Sequence, residues 1–133
     1  MRYLLDTHTF LWTTGQSQKL PAKARSVIED ADNDIFVSAV VFWEIAIKTR
    51  RGKLDIGGRS ADELIGQAET MGLRLIAIEP HEAATYDKLE ENTHFDPFDR
   101  MLIWQAIRRD MILISKDPEF EKFKSDGLSL LWK

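Results

Sequence analysis

The chain has no cysteine. That excludes disulfides and thiolate metal sites together, so any metal here must be held by oxygen or imidazole. It also lacks a long apolar run: a membrane span needs roughly 18 such residues, and Asp6 interrupts the opening run Tyr3-Leu4-Leu5 almost at once, which removes the pattern of a secretory signal as well. A cytoplasmic protein without membrane association is the expectation. Positive charge is short, with 18 Lys and Arg against 22 Asp and Glu and a formal net charge of −4. Wholesale electrostatic wrapping of nucleic acid is disfavoured, while a local basic strip, or a phosphate held through a metal, is not. Repeats, linkers and low-complexity stretches are missing too. With 133 residues, 44% hydrophobic and 30% charged, the composition implies a single globular domain spanning 1–133, long enough to bury a core without staples.

What is present is an alternation. Short apolar runs of strand length recur at Tyr3 to Leu5, Ile35 to Val37, Leu73 to Ile78, Met111 to Ile114 and Leu128 to Trp132. Helical signals lie between them. Pro21 sits at a helix start ahead of AKARSVIEDA, SADE at Ser60 to Glu63 has the form of a capping box, and a helix begins near Pro80 and runs through HEAATYDKLEE. DPFDRMLIWQAIRRD announces another, with Asp96 as N-cap and Pro97 in the first helical position. Strands alternating with helices mean crossover connections, and these imply a three-layer α/β/α domain around a mostly parallel sheet of about five strands. The one long loop is RRGKLDIGGRS, rich in glycine and basic charge.

In such sheets ligands bind beyond the carboxyl ends of the strands. Asp6 stands there after the first strand, Asp117 just past the fourth, and Asp99 in the first turn of the helix that leads into the fourth. Singly, each has a plain explanation: Asp117 precedes Pro118 and can cap PEFEKF, Asp99 is favoured by the positive end of its helix, and Asp6 can mark where a strand meets solvent. Glu44 is harder to explain away. It is flanked by Val40, Val41, Phe42 and Trp43 on one side and Ile45, Ala46 and Ile47 on the other, which reads as a helix buried on nearly all sides. An unpaired carboxylate there costs several kcal/mol or takes up a proton. The competing reading, an ion pair with Lys48 at i+4, is worth only about 0.2–0.5 kcal/mol when exposed and ranks second.

Carboxylates gathered in a cleft repel one another, and a hard divalent cation relieves the repulsion. Oxygen ligands select Mg²⁺ or Mn²⁺ over zinc. One or two such ions activate water and stabilise the attacking and leaving oxygens of a displacement at phosphorus, so the reaction class is phosphoester or phosphodiester hydrolysis.

YLLDTHTFLW, SAVVFWEIAIKTRRGKL, DPFDRMLIWQAI and ILISKD, in that order and spacing, resemble the successive motifs of PIN-domain ribonucleases, and most closely those of VapC toxins of toxin–antitoxin pairs. The resemblance implies a doubly wound PIN fold and a Mg²⁺- or Mn²⁺-dependent endoribonuclease. Its acids fall on Asp6, Glu44, Asp99 and Asp117, with Asp6 and Asp99 as direct ligands and Glu44 and Asp117 binding directly or through water and orienting the attacking water. Thr7 and Ser115 match positions with a hydroxyl near the acids, and His94 loosely matches a histidine before the DPFD stretch, although a loop histidine is ordinarily solvated. Asp96 reads as a cap rather than a ligand, and His8 receives no role. Lys48, Arg50, Arg51 and Lys53 at the end of the Glu44 helix, with Arg100 and Lys116 beside the acids, are the candidate RNA contacts; a helix C-terminus that favours cations explains the first group equally well. Partners implied are an RNA substrate, a cognate VapB-like antitoxin and a second copy of the chain, with Phe10, Leu11, Trp12, Phe42 and Trp43 as candidate contact or core residues.

Rival classes fare worse. A haloacid-dehalogenase phosphatase needs a second aspartate two residues after the first, where this chain has His8, and a phosphoacceptor receiver needs an early acidic pair that Met1 to Leu5 lack. A PIN-fold RNA- or protein-binding module with little catalysis is the remaining alternative.

Overall fold

The computed structural model describes residues 1–133. Five strands form at the five expected runs: β1 (Arg2–Leu5), β2 (Asp34–Ser38), β3 (Arg74–Ile76), β4 (Ile112–Ile114) and β5 (Ser129–Leu131). All neighbours pair in parallel, in the order β3-β2-β1-β4-β5. Parallel strands covered on both faces tolerate unbroken hydrophobicity, and central β1 shows it, with Tyr3, Leu4 and Leu5 all buried. Leu4 pairs with Phe36 on one side and Leu113 on the other. The chain steps outward from β1 through β2 to β3, then returns to lay β4 against the free side of β1. Right-handed crossovers in two opposite directions cover both faces with helices, and the strand order reverses between β1 and β4, which is where such sheets open a crevice.

The helices are α1 (Thr7–Gly15), α2 (Ala22–Glu29), α3 (Ala39–Arg50), α4 (Ala61–Thr70), α5 (Pro80–Thr85) and α6 (Pro97–Arg108), with 3-10 turns at Ser17–Lys19, Tyr86–Lys88 and Pro118–Asp126. Their starts follow the sequence signals. Ser60 and Glu63 make the reciprocal capping box of α4, and the Asp96 carboxylate accepts from the Asp99 N–H ahead of Pro97. In the 51–60 loop, Gly57 and Gly58 take successive left-handed conformations (φ 69° and 79°) that a Cβ would strain.

Two expectations need correction. The helix from Pro80 does not continue through Glu91; it stops at Thr85, tightens into one 3-10 turn and leaves in extended conformation at Leu89. Its next carbonyls are needed elsewhere, because Arg100 gathers those of Leu89, Glu91 and His94. Nor is α3 buried all round. Trp43 is 56% exposed and meets the edge of Phe98 at 5.1 Å, while Val40, Val41, Glu44 and Ile45 face inward.

One polar knot fixes α6 against α5. Glu82, nearly buried, accepts from Arg109 Nε (2.6 Å) and Nη2 (2.9 Å) and from Gln105 Nε2 (3.0 Å), and closes its own capping box with the Glu79 N–H. Burial by itself would raise the Glu82 carboxyl, but these donors outweigh it and hold it at about 2, below its ordinary 4.5. A depressed acid contributes stability above its unfolded value and loses it as pH falls through the folded one. Urea unfolding should therefore show a stability loss between about pH 4.5 and 2 that Arg109→Met largely lacks, while Arg109→Met costs about 3 kcal/mol at pH 7 by leaving Glu82 uncompensated.

Candidate active site

The β1–β4 junction opens into a cleft of about 380 Å³ lined by Asp6, Thr7, His8, Glu44, Lys48, Asp99, Lys116 and Asp117, closed by Pro118 and Phe120. All four acids singled out from the sequence reach it. Asp6 leaves β1 and caps α1, its Oδ1 accepting from the Thr9 N–H at 2.9 Å, and its backbone is tied to β4 through Ile114 O. Asp117 follows β4 and caps the 3-10 turn at Pro118, accepting from the Glu119 N–H at 2.9 Å. The Ser115 hydroxyl accepts from the Asp117 N–H at 3.1 Å and lies beside Asp6. Asp99 enters from the first turn of α6.

Glu44 comes from the middle of α3, where no cap assists it. Its carboxylate accepts from the Thr7 hydroxyl on one oxygen and pairs with Lys48 on the other. The i+4 pair ranked second from the sequence thus forms, because Glu44, 5% exposed, needs a cation more than an exposed pair would. Burial alone would lower the Lys48 ammonium, but Glu44 foremost, with Asp96 and Asp99, raises it.

Asp6 and Asp99 carry the cost of crowding. Burial pushes the Asp6 carboxyl up, and hydrogen bonds from Ser115 and Thr9 only partly offset it. Asp99 is pushed from 3.8 to about 6, first by burial and further by the charges of Asp96 and Glu44, against the opposing hydrogen bond with His94. Neither has a Lys or Arg partner. An all-oxygen donor set with under-compensated negative charge fits a hard divalent cation and no soft one. No three of the Asp, Glu or His side chains are drawn together closely enough to hold an ion directly, so an ion held here would take one or two carboxylates and keep several waters.

Several residues differ from expectation. Arg100 is not at the cleft surface. It is buried, donates to the Glu91 (2.6 Å), His94 (3.1 Å) and Leu89 (3.4 Å) carbonyls, and lies over the rings of Tyr86 and Phe123. A guanidinium that satisfies three loop carbonyls is a brace, not an RNA contact. His94 is not solvated: its Nε2 shares a 2.9 Å hydrogen bond with Asp99 Oδ2, and its ring meets Phe120 and Phe123 edge-on. Arg50 and Arg51 are exposed at the end of α3 but outside the residues lining the cleft. Of the basic candidates only Lys48 and Lys116 line it, and Lys48 is engaged by Glu44. Phe10 is fully buried and belongs to the core, with Phe42 packed edge-on against it at 5.4 Å. The brace at Arg100 and the knot at Glu82 carry no local sequence signal, since both depend on which distant carbonyls and helices the fold brings near.

The molecule is an open, doubly wound α/β domain with an acid-lined cleft at its switch point, the place where such sheets bind their ligands. The PIN domain family model matches residues 3–125, and the chain belongs to that family. Ribonuclease VapC22 of Mycobacterium tuberculosis is 28% identical over 129 residues, 97% of each chain. The fold is shared with the VapBC2 complex of Rickettsia felis bound to a promoter DNA fragment (TM-score 0.70, 15% identity, all of both chains). It is shared also with FitAcB of Neisseria gonorrhoeae (TM-score 0.61, 15% identity, 97% of this chain and 96% of that one).

Replacing Arg100 by Met should leave three carbonyls short of a donor and cost about 2–4 kcal/mol in urea unfolding. Hydrogen exchange should rise first across residues 89–95; uniform protection there would refute the brace.

Proposed function

We propose that this chain is a divalent-metal-dependent endoribonuclease, using Mg²⁺ or Mn²⁺, that acts as the toxin of a VapBC-type pair and is neutralised by a cognate antitoxin. One observation carries the reading: Asp6, Glu44, Asp99 and Asp117, from four separated segments, line a single cleft at the sheet's switch point. Membership of the PIN family and the similarity to a named VapC ribonuclease support it. Asp6 and Asp99 hold the ion, since they are the acids that burial leaves least compensated. When bound, the ion supplies an activated water and stabilises charge developing at phosphorus. Glu44, fixed by Thr7 and Lys48, and Asp117 orient that water. Lys48 meets the scissile phosphate, and Lys116, Arg50 and Arg51 follow the strand away from it. His94 fixes the rotamer of Asp99 from behind.

The chain works as one PIN domain over 1–133, in the cytoplasm, as a homodimer. Exposed Trp43 beside Phe98, with Phe95 74% exposed nearby in sequence, offers the aromatic face that subunit contacts favour. The antitoxin covers the acidic cleft.

Asp6→Asn and Asp99→Asn separate enzyme from binding module. Both keep their backbone contacts while removing a buried charge, so the metal-free variants should melt at or above the wild-type temperature. Cleavage of RNA with Mg²⁺ or Mn²⁺ should fall by at least about 100-fold, and the rise in melting temperature that either ion gives the wild type should shrink. Wild-type cleavage rates in both variants would sink the assignment.

A further inference from the structure

Trp12 is a large aromatic residue that the core does not use. Leu11 beside it in α1 packs against the hydrophobic cluster, as does Trp132, but Trp12 does not. Its indole is held among polar and aromatic neighbours instead. The Lys116 ammonium lies 4.7 Å from the ring centroid and that of Lys19 lies 5.7 Å away. His8 meets it edge-on, and Trp132 sits 5.9 Å off at a 42° tilt. Two indoles at that tilt are not stacked in parallel, and both stay half-buried, with only mobile lysine side chains over the Trp12 ring. The group stands at the rim of the acidic cleft. Lys116 lines both that cleft and an adjoining hollow of about 360 Å³ bounded by Lys23 and Trp132, and His8 joins the cleft to a second hollow of about 550 Å³ on the Trp12 side.

We propose that Trp12 and Trp132 form a base-stacking platform on which a single-stranded stretch of RNA leaves the cleft, its backbone carried by Lys116, Lys19 and Lys23. The proposal takes the strand's direction from the nuclease reading above. The chemistry of the platform points to nucleic acid rather than to an apolar helix: Lys116 and Lys19 lie over the Trp12 indole, and Lys23 and Lys116 share the hollow that Trp132 borders. Phosphates need the lysines and unpaired bases the indoles. Asp117 and Glu121 also border the 360 Å³ hollow, so charge alone would hold a strand weakly there, and stacking must contribute the rest. A duplex offers no free base faces, so the substrate class is unpaired RNA, a loop or a single strand.

The test uses the full chain and fluorescein-labelled octauridylate, titrated with Ca²⁺ in place of Mg²⁺ or Mn²⁺ so that the cleft acids are neutralised by a hard oxygen-seeking cation, together with versions carrying one abasic residue at each position in turn. The wild type should lose about tenfold in affinity at one or two positions. Trp132→Ala should bind the intact oligomer about tenfold more weakly and then be indifferent to those same abasic positions, and Trp12→Phe should retain the sensitivity. Lys116→Gln should weaken all oligomers alike and reduce the salt dependence by about one phosphate contact. The abasic series needs no altered protein, so it stands even if a variant folds poorly. Wild-type binding that ignores base loss everywhere, or equal affinity for a blunt RNA duplex, overturns the platform and assigns the two indoles to a protein contact. Cleavage of the intact oligomer with Mn²⁺ is read alongside. Cleavage without abasic sensitivity defeats the platform and leaves the nuclease standing; abasic-sensitive binding without cleavage of any RNA defeats the nuclease and leaves the platform standing.

Discussion

The structure depends on keeping carboxylates charged in a place where burial and mutual repulsion discourage it. Three of the four acids in the cleft meet the requirement in one way. Asp6 caps α1, Asp117 caps the Pro118 turn, and Asp99 sits in the first turn of α6. Each lies at the positive end of a helical segment, where free N–H groups and the aligned peptide dipoles favour negative charge. The sheet's switch point brings those helix starts together, so the backbone itself supplies a diffuse positive field. Asp6 and Asp99 remain raised in spite of it, so the field is too weak to compensate fully. Glu44, in mid-helix, has no such help and recruits Thr7 and Lys48.

The same contrast explains what could be read in the sequence. Strands were legible because buried parallel strands need unbroken apolar runs, and helix starts because caps are local chemistry: Ser60-Glu63 and Asp96-Pro97 mean the same thing in any fold. The four acids were legible as candidates through their positions relative to those elements. Their partners were not. Lys48 could be placed one turn from Glu44, but whether the pair was worth making depended on a burial that only packing sets. Arg100 misled because a cation beside Asp99 in sequence points about 100° away around a helix, and in this fold that direction is inward. The end of α5 was hidden for a related reason, since carbonyls 89 to 94 serve a side chain from another helix.

Once Arg100 is assigned to the interior, the charge of the surface reads differently. A chain with net charge −4 does not attract RNA as a whole. Four acids gather in the cleft, where a bound ion would reverse their effect on a phosphate, and Lys48 and Lys116 line it beside them. Within the proposed function, a phosphate inside the cleft would need the ion, while a strand outside it would meet the neighbouring cations directly. Net charge is then a poor guide to whether the protein handles nucleic acid.

The shell around the cleft is also unequal on its two sides, and the inequality has a mechanical meaning. Behind Asp99 the contacts are dense: His94 is wedged against Phe120 and Phe123, Arg100 pins the loop that carries it, and α6 is tied to α5 through Glu82 and Arg109. A carboxylate so backed cannot drift as charge develops nearby, which is what preorganised stabilisation requires. Beyond Asp117 the opposite holds. Lys116 is exposed, the indoles are tilted rather than stacked, and the outermost strand on that side, β5, is a short edge. Rigid walls suit groups that must hold an ion in place, whereas exposed lysines and aromatic faces adapt to a flexible polymer whose sequence varies. The fold thus sets a packed wall on the β1–α6 side of the cleft against exposed lysines and half-buried indoles on the β4–β5 side, the division of labour that the proposed nuclease would need.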